Sequence, residues 1–235
     1  MTEWAAKRFW ASVDVVEAEN GFNVTLDGRR VLTPQKSVLS LPTHPFAQRL
    51  AAEWSAVEGA VDPNAMPITR AANSAIDKVT PQRTEIIDIL AAYGESDLLC
   101  YHADQPRALV ERQQAQWSPW LDWACQRYNA PMVVTSGISP VSQDPQSMLR
   151  LREPLKKMTV FQLTGMHDLI TISGSLVLAL AITDGEISAE DAWPISRLDE
   201  LWQIEEWGAD EEAEELGESK RKDFLRAFEI FSIST

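Results

Sequence analysis

The sequence predicts an α+β fold: an N-terminal antiparallel β-meander with a helix, followed by a mostly α-helical bundle domain. Two hairpin-type dipeptides, Asn20-Gly21 and Asp27-Gly28, separate short segments rich in β-branched residues, and both accept the positive φ of a tight turn. Apolar residues at helical spacing replace this pattern further along the chain. We therefore place a domain boundary at Thr80-Pro81, which gives an N-terminal α/β domain of residues 1–80 and a helical domain of residues 81–235.

Three or four short strands make up the predicted meander. Alternation and β-branching favour strands at Ala11–Glu17, Phe22–Leu26, Arg29–Thr33 and Ser37–Leu41. The first helix follows, because Thr43 is a favourable N-cap residue and a proline in the first turn suits a helix start. Phe46, Leu50 and Trp54 fall on one face of this helix, so we expect that face to cover the sheet.

The remainder of the chain reads as a series of helices. The first predicted helix runs from Pro81 to Tyr93 with Thr80 as the cap. Two helices then meet at Ser118-Pro119, and the second of them ends at Tyr128. Further helices run from Asp144 to Lys157, from Thr159 to Gly185 as one long apolar helix, and from Ser188 to Trp207-Gly208. Ser173 and Ser175 lie inside the apolar helix, and we expect their hydroxyls to bond back to helix carbonyls rather than to act as nucleophiles.

Several classes of protein are disfavoured by simple counts. Two cysteines, Cys100 and Cys125, are too few for a disulfide framework or a four-ligand zinc site. The longest apolar run, Leu169–Thr183, has fifteen residues, whereas a membrane span needs about 20. The N-terminal residues contain no secretory apolar run and include Glu3. We therefore expect a protein of a reducing cytoplasm that does not insert into membranes.

Negative charge is concentrated in one part of the chain. The net charge is −14, and residues 184–218 contain fourteen acidic residues and a single base, Arg197. A phosphate backbone would be repelled there, so nucleic acid is a poor partner. Two interpretations stay open for this acidic segment: a solvated surface, or a surface that docks onto a basic partner.

Motifs of catalysis and cofactor binding are missing from the sequence. Neither a glycine-rich phosphate loop nor a nucleophile elbow occurs, and the histidines His44, His102 and His167 are not spaced as metal ligands. We expect no cofactor, no metal and no catalytic residue. One enzymatic alternative stays open, in which His167 and Asp168, or His102, act in a cleft between domains as in a small hydrolase.

Tryptophan is the distinctive residue type, with nine copies against three tyrosines. Trp fills protein cores and also dominates binding hot spots. On a helical wheel of residues 196–208, several polar residues gather within about 40° of one another, provided that the helix continues to residue 210. The candidate partner-binding residues are Asp199, Trp202, Gln203, Glu206, Trp207 and Asp210. Glu205 falls inside the neighbouring apolar arc, where a carboxylate needs water or a cation.

An ordered series of short motifs resembles the ATP12-type assembly chaperones of the F1 part of ATP synthase. The motifs are Lys7-Arg8-Phe9-Trp10, Asp27-Gly28-Arg29, Leu32-Thr33-Pro34, Ala52-Glu53-Trp54, Met66-Pro67-Ile68-Thr69-Arg70, Asp97-Leu98-Leu99-Cys100-Tyr101-His102, Leu109-Val110-Glu111-Arg112-Gln113, Ser173-Gly174-Ser175 and Ser196-Arg197-Leu198-Asp199. Each motif alone is weak, whereas their order along nearly the whole chain is specific.

The resemblance implies a function as well as a fold. It implies an N-terminal α/β domain and a C-terminal helical domain, with no catalysis and no nucleotide. It implies a chaperone that binds the free F1 α subunit on a surface later taken by the β subunit, and so prevents aggregation before assembly. The free protein is then expected to be monomeric, in the bacterial cytoplasm or, for a mature organellar form, in the mitochondrial matrix.

Overall fold

A computed structural model describes residues 7–137 and 139–235 of the chain. The residues up to Ala6, which include Glu3, lie outside this part. Contacts group the described residues into two compact units. The first unit contains the residues up to Arg83 with Thr159–Thr164 and Ile230–Thr235, and the second contains Thr84–Met158 and Gly165–Glu229. The proposed domain boundary at Thr80-Pro81 stays a prediction.

The N-terminal sheet is the antiparallel meander that the sequence predicts. Strands β1 (Val13–Ala18), β2 (Gly21–Leu26) and β3 (Arg29–Arg30) pair in the order β1-β2-β3. Asp27 and Gly28 turn the chain between β2 and β3 with φ of 47° and 77°, as expected for a two-residue hairpin turn. The α+β class and the three-stranded meander are therefore confirmed.

The fourth predicted strand does not form. Residues 37–41 contribute only two isolated bridges, Leu32 with Val38 and Phe22 with Leu41. Pro34 lacks a donor N–H, and Lys36 has a φ of 64°, so the chain turns too tightly here for a continuous ladder. The bridge at Phe22 also explains Gly21, because a Cβ at residue 21 would lie 2.2 Å from the Leu41 carbonyl oxygen.

Helix α1 (His44–Ser55) packs on the sheet as predicted. The Thr43 hydroxyl accepts a hydrogen bond from the Phe46 amide at 3.2 Å, so the predicted cap is present. Phe46 and Leu50 are fully buried, and Trp54 is half-buried with its ring edge against Trp10 at 5.2 Å. Burial of these side chains supplies the core of the first unit.

Helix α2 (Pro67–Ser74) is capped from outside its own segment. Its N-cap residue, Met66, provides no side-chain hydrogen bond. Instead the Glu53 carboxylate of α1 accepts bonds from the amides of Ile68 and Thr69, at 2.7 and 2.8 Å, and from the Thr69 hydroxyl at 2.7 Å. A negative charge at a helix N-terminus is favourable, so Glu53 joins α1 to α2 by charge-assisted bonds.

We expect Glu53→Ala to lower the free energy of unfolding by about 2 kcal/mol, since a hydrogen bond to a charged group contributes about 1.5–3 kcal/mol. Urea denaturation of the full chain measures this loss. Glu58→Ala is the matched control, because Glu58 is an exposed glutamate close by in the sequence, and a surface change costs under about 0.5 kcal/mol. Equal effects of the two substitutions would contradict the capping role of Glu53.

Helices dominate the rest of the described chain, as predicted. They are α3 (Arg83–Ala92), α4 (Arg107–Tyr128), α5 (Pro145–Lys157), α6 (Val160–Ser173), α7 (Leu176–Thr183), α8 (Ala189–Ser196), α9 (Leu198–Trp207) and α10 (Glu211–Ile233). Two dipeptide strands, β4 (Tyr101–His102) and β5 (Thr135–Ser136), form a parallel pair. The predicted cap of α5 is present, because the Asp144 carboxylate accepts a bond from the Ser147 amide.

Two predicted helix boundaries are wrong. Pro119 lies inside the continuous helix α4 and does not divide it. Trp117 and Leu121 are buried on either side of that proline, so packing outweighs the lost backbone bond. The predicted cap at Thr80 is also absent: its hydroxyl donates to the Ala75 carbonyl at 2.9 Å, and α3 begins at Arg83.

The predicted long apolar helix is two helices, α6 and α7. Gly174 separates them with a φ of 72°. Ser173 donates to the Leu169 carbonyl at 2.6 Å, as expected, whereas Ser175 caps α7 by accepting from the Leu178 amide. Asp97 supplies a second cap, since its carboxylate accepts a hydrogen bond from the amide of Val177, the second residue of α7. No helix in the described residues is both long and apolar enough to cross a membrane.

Candidate functional site

Helix α9 carries most of the predicted partner-binding residues. The Ser188 hydroxyl caps α8 by accepting from the Asp191 amide at 3.0 Å. The predicted single helix from Ser188 to Trp207 is interrupted at Arg197, whose amide bonds three residues back to Pro194 and so leaves the α-helical pattern. Gly208 then ends α9 with a φ of 90°.

Asp210 does not lie on the helical face that the wheel assigns to it. Because α9 ends at Trp207, the alignment of Asp210 with Asp199 and Glu206 is wrong. Asp210 instead begins α10, where its carboxylate accepts a bond from the Ala213 amide at 2.9 Å. Asp210 therefore caps a different helix, and its role in partner binding stays a prediction.

Asp199 is fixed by a buried glutamine that sequence reasoning did not select. The side-chain Nε2 of Gln113 on α4 donates to Asp199 Oδ1 at 2.6 Å. Gln113 Oε1 accepts from the Ala103 amide at 2.7 Å, so both ends of the glutamine amide are bonded. With 1% of its surface exposed, Gln113 holds the Asp199 carboxylate in one orientation, and it lies in a motif that carries the family resemblance.

Trp202 and Glu205 share one cation, Arg112. The Arg112 guanidinium lies 4.8 Å from the centre of the Trp202 ring, and one of its nitrogens lies 2.8 Å from the Glu205 carboxylate. The cation that the position of Glu205 requires thus comes from α4 of the same chain. Trp202 is half-buried, so it belongs neither wholly to the core nor wholly to the surface.

Exposed apolar and acidic groups alternate at the end of α9. Trp207 is 79% exposed, the highest value among the large apolar side chains that the structure describes. Gln203 and Glu206 are also exposed, and Leu201 is 40% exposed. A tryptophan this exposed offers a large amphipathic surface to a partner, and tryptophan is enriched at binding hot spots. We call Asp199, Trp202, Gln203, Glu206 and Trp207 the α9 surface.

A cleft of about 310 Å³ opens beside the α9 surface. Four helices contribute to its walls: α4 through Trp117, α6 through its last turn, α8 through Ser196, and α9 through Asp199 and Gln203. An ion pair between Arg197 and Glu200, at 2.5 Å, also lines it. Asp199 therefore belongs both to the α9 surface and to the wall of the cleft.

The residues of the enzymatic alternative make local contacts. His167 Nδ1 lies 2.8 Å from Asp168 Oδ1 at the surface, and this bond raises the pKa of His167. His102 Nε2 lies 3.1 Å from the Leu99 carbonyl oxygen, and burial lowers the pKa of His102. Burial raises the pKa of the Cys100 thiol to about 12. No group of three or more metal-ligating side chains occurs within residues 7–137 and 139–235.

Comparison with known proteins identifies the family. The sequence profile of the ATP12 chaperone protein family matches residues 7–125. The crystal structure of Atp12 from Paracoccus denitrificans is 46% identical, with a TM-score of 0.94 and coverage of 99% of this chain and 100% of that one. A point mutant of Atp12p from the same organism gives 45% identity and a TM-score of 0.95 over the full length of both chains.

A more distant relative extends the match to eukaryotes. The mitochondrial protein atp12 of the fission yeast Schizosaccharomyces pombe is 22% identical over 239 residues, which cover 96% of this chain and 82% of the yeast protein. The resemblance seen in the short motifs is thus confirmed over the length of the chain. The chain belongs to the ATP12 chaperone protein family.

Proposed function

We propose that this protein is an assembly chaperone of ATP synthase that binds the free F1 α subunit and keeps it from aggregating until the α subunit pairs with β. Membership of the ATP12 chaperone family supports the chaperone class. The exposure of Trp207 beside a row of carboxylates is the observation that supports a partner surface in the second unit. The proposal includes no catalytic step, and it treats the free protein as a monomer.

The α9 surface combines the two chemistries that a chaperone of this kind needs. Trp202 and Trp207 offer large amphipathic contact areas, and Glu206 and Asp199 offer negative charge at the same helix. Charges at an interface mainly set the rate and orientation of association, whereas apolar contacts mainly set the lifetime of the complex. The same proposal covers the compartment: bacterial cytoplasm, or mitochondrial matrix for an organellar form.

Neutralising the acidic residues should slow binding without unfolding the protein. In the triple variant Asp199→Asn, Glu206→Gln and Asp210→Asn, we expect association with the purified α subunit to slow about tenfold at low salt. Asparagine at 199 still accepts the Gln113 bond, and asparagine at 210 still caps a helix. Stopped-flow binding across a range of ionic strengths measures the rate.

The matched control neutralises three other exposed acids in the same acidic segment. The control variant is Glu212→Gln, Glu214→Gln and Glu215→Gln in α10, which changes the net charge by the same amount. If both triple variants associate equally slowly, net charge alone sets the rate. That result would remove Asp199, Glu206 and Asp210 from the binding surface.

Trp207→Ala should shorten the lifetime of the complex. We expect the free energy of binding to the α subunit to fall by about 2 kcal/mol or more, as for a hot-spot residue, mainly through faster dissociation. Stability should change little, because Trp207 is 79% exposed. Leu216→Ala in α10 is the control, since Leu216 is also exposed. Wild-type dissociation in the Trp207 variant would exclude this tryptophan from the interface.

A further inference from the structure

The two serine hydroxyls in the wall of the cleft beside the α9 surface present hydrogen-bond acceptors rather than donors. A serine hydroxyl has one proton to donate, and both serines of the wall use it on the backbone. Ser173 donates to the Leu169 carbonyl at 2.6 Å, and Ser196 donates to the Trp193 carbonyl at 2.7 Å. Ser173 Oγ also accepts from the Ser175 amide at 3.3 Å, so its remaining lone pair and those of Ser196 Oγ are what the two side chains can offer to an occupant.

The nitrogen donors of Trp117 and Arg197 in the wall are engaged, whereas the Gln203 side-chain amide, which also lines the cleft, offers both donors and an acceptor. The Trp117 indole N–H donates to the Ile195 carbonyl at 2.9 Å. The Arg197 guanidinium pairs with Glu200 at 2.5 Å, which also balances the charge of that glutamate. One carboxylate oxygen of Asp199 accepts a bond from Gln113. Among the described residues of the wall, the cation Arg197 pairs with Glu200 and not with Asp199. The lining thus carries one uncompensated negative charge.

Part of the remaining lining is apolar. Leu98, Ile172 and the Trp117 ring form this part of the wall. A volume of about 310 Å³ lies at the lower limit of small-molecule sites, which range over about 300–1,000 Å³. The space suits one long side chain with an aliphatic stem and a polar end, as lysine and arginine have.

We propose that this cleft binds a basic side chain, arginine or lysine, projecting from the surface of the partner protein. Lysine and arginine carry donors and no acceptor, which matches the serine oxygens and the second carboxylate oxygen of Asp199, and their positive charge matches that carboxylate. Their methylenes pack on Leu98 and Ile172. The inference rests on the proposed function for the identity of the partner, whereas the chemistry of the cleft itself can be tested without any partner.

The first experiment uses a single-residue probe. N-acetylarginine amide is titrated to millimolar concentration into the ¹⁵N-labelled full chain, and amide shifts are followed by NMR. We expect saturable shifts at Ser173, Gly174, Ser196 and Asp199, and at the Trp117 indole N–H. N-acetylcitrulline amide, which has the same shape without the charge, should give no saturable shift. Equal shifts with both probes, or arginine shifts confined to α10, would overturn the proposal.

Two variants test whether the arginine probe binds within the cleft. Asp199→Asn removes the charge and keeps the Gln113 bond, so affinity for the arginine probe should fall at least tenfold. Thr171→Arg puts a tethered cation at the exposed mouth of the cleft and should abolish the shifts. Asp122→Asn is the matched control, because Asp122 is an exposed aspartate of the same unit outside the cleft wall. An unchanged affinity in the Asp199 variant contradicts the proposal.

Binding of the purified α subunit separates the two proposals. If the cleft takes a partner's basic side chain, Thr171→Arg should weaken α binding at least tenfold while Asp122→Asn leaves it unchanged. Normal α binding by the Thr171 variant would overturn the cleft proposal and leave the proposed function standing. Arginine-probe binding in the cleft without any α binding would instead contradict the proposed function.

Discussion

Trp117→Ala is expected to lower the free energy of unfolding by about 3–5 kcal/mol, the range for removing a large buried aromatic side chain. Trp117 is fully buried in α4. Its ring contacts the His102 ring edge-on at 5.5 Å, and its indole N–H holds the last turn of α8 through Ile195. The substitution leaves a cavity and also an unpaired carbonyl.

Two further variants separate these contributions. Trp117→Phe keeps an aromatic ring and loses the N–H, so we expect an intermediate loss of about 1–3 kcal/mol. Trp207→Ala removes the same number of atoms from an exposed position and should leave the urea midpoint nearly unchanged. A Trp117→Ala protein as stable as the Trp207→Ala protein would contradict the central packing role of Trp117.

The second large effect is a pH dependence caused by Asp97. This carboxylate is fully buried and accepts bonds from the amides of Leu99, at 3.1 Å, and Val177, at 2.9 Å. Burial raises the pKa of Asp97 to about 6, although the backbone bonds act in the opposite direction. The folded protein therefore holds a proton at pH 5 that the unfolded chain, with a pKa near 3.8, has released.

This proton contributes to the free energy of unfolding, and its contribution is fully present below pH 3.8. The contribution, on the order of 3 kcal/mol, is lost as the pH rises through 6. The test is the difference in free energy of unfolding between wild type and Asp97→Asn, from urea melts at pH 4, 5, 6 and 7. Asparagine does not titrate, and the other ionisable groups are common to both proteins. The advantage of wild type should shrink as the pH rises; parallel curves would contradict a raised pKa.

Local signals in the sequence predicted those elements that local chemistry decides. Asp27-Gly28 marks the second turn of the sheet because both residues readily take the positive φ that the turn requires. At the first turn the loop residues are Glu19 and Asn20, and only Gly21, the first residue of β2, has a positive φ. Thr43 marks the start of α1 because its own hydroxyl caps the helix. The division between α6 and α7 is not predicted, although Gly174 and the capping Ser175 are local to it. The second cap of α7, from Asp97, lies far away in the sequence and forms only in the folded protein.

The site shows the same limit. The wheel correctly placed Asp199, Gln203 and Glu206 in one helix, and the predicted end at Trp207-Gly208 is correct. The condition that the helix continues to residue 210 is not met, because Gly208 takes a φ of 90°. The misplaced charge of Glu205 was a real signal: it required a cation, which proved to be Arg112. Nothing in a single sequence marks Gln113 as the partner of Asp199, because tertiary packing alone brings α4 to α9.

Helix α7 has a consequence for the unfolded chain. Its residues Leu176–Ile182 are seven successive apolar side chains, all buried after folding. Before folding, such a charge-free heptapeptide is a nucleus for self-association. The carboxylates that begin directly after it, at Asp184 and Glu186, repel a second copy of the same segment. The acidic residues that follow α7 therefore oppose self-association of this segment in the unfolded chain, in the way that charged residues flanking an apolar segment do.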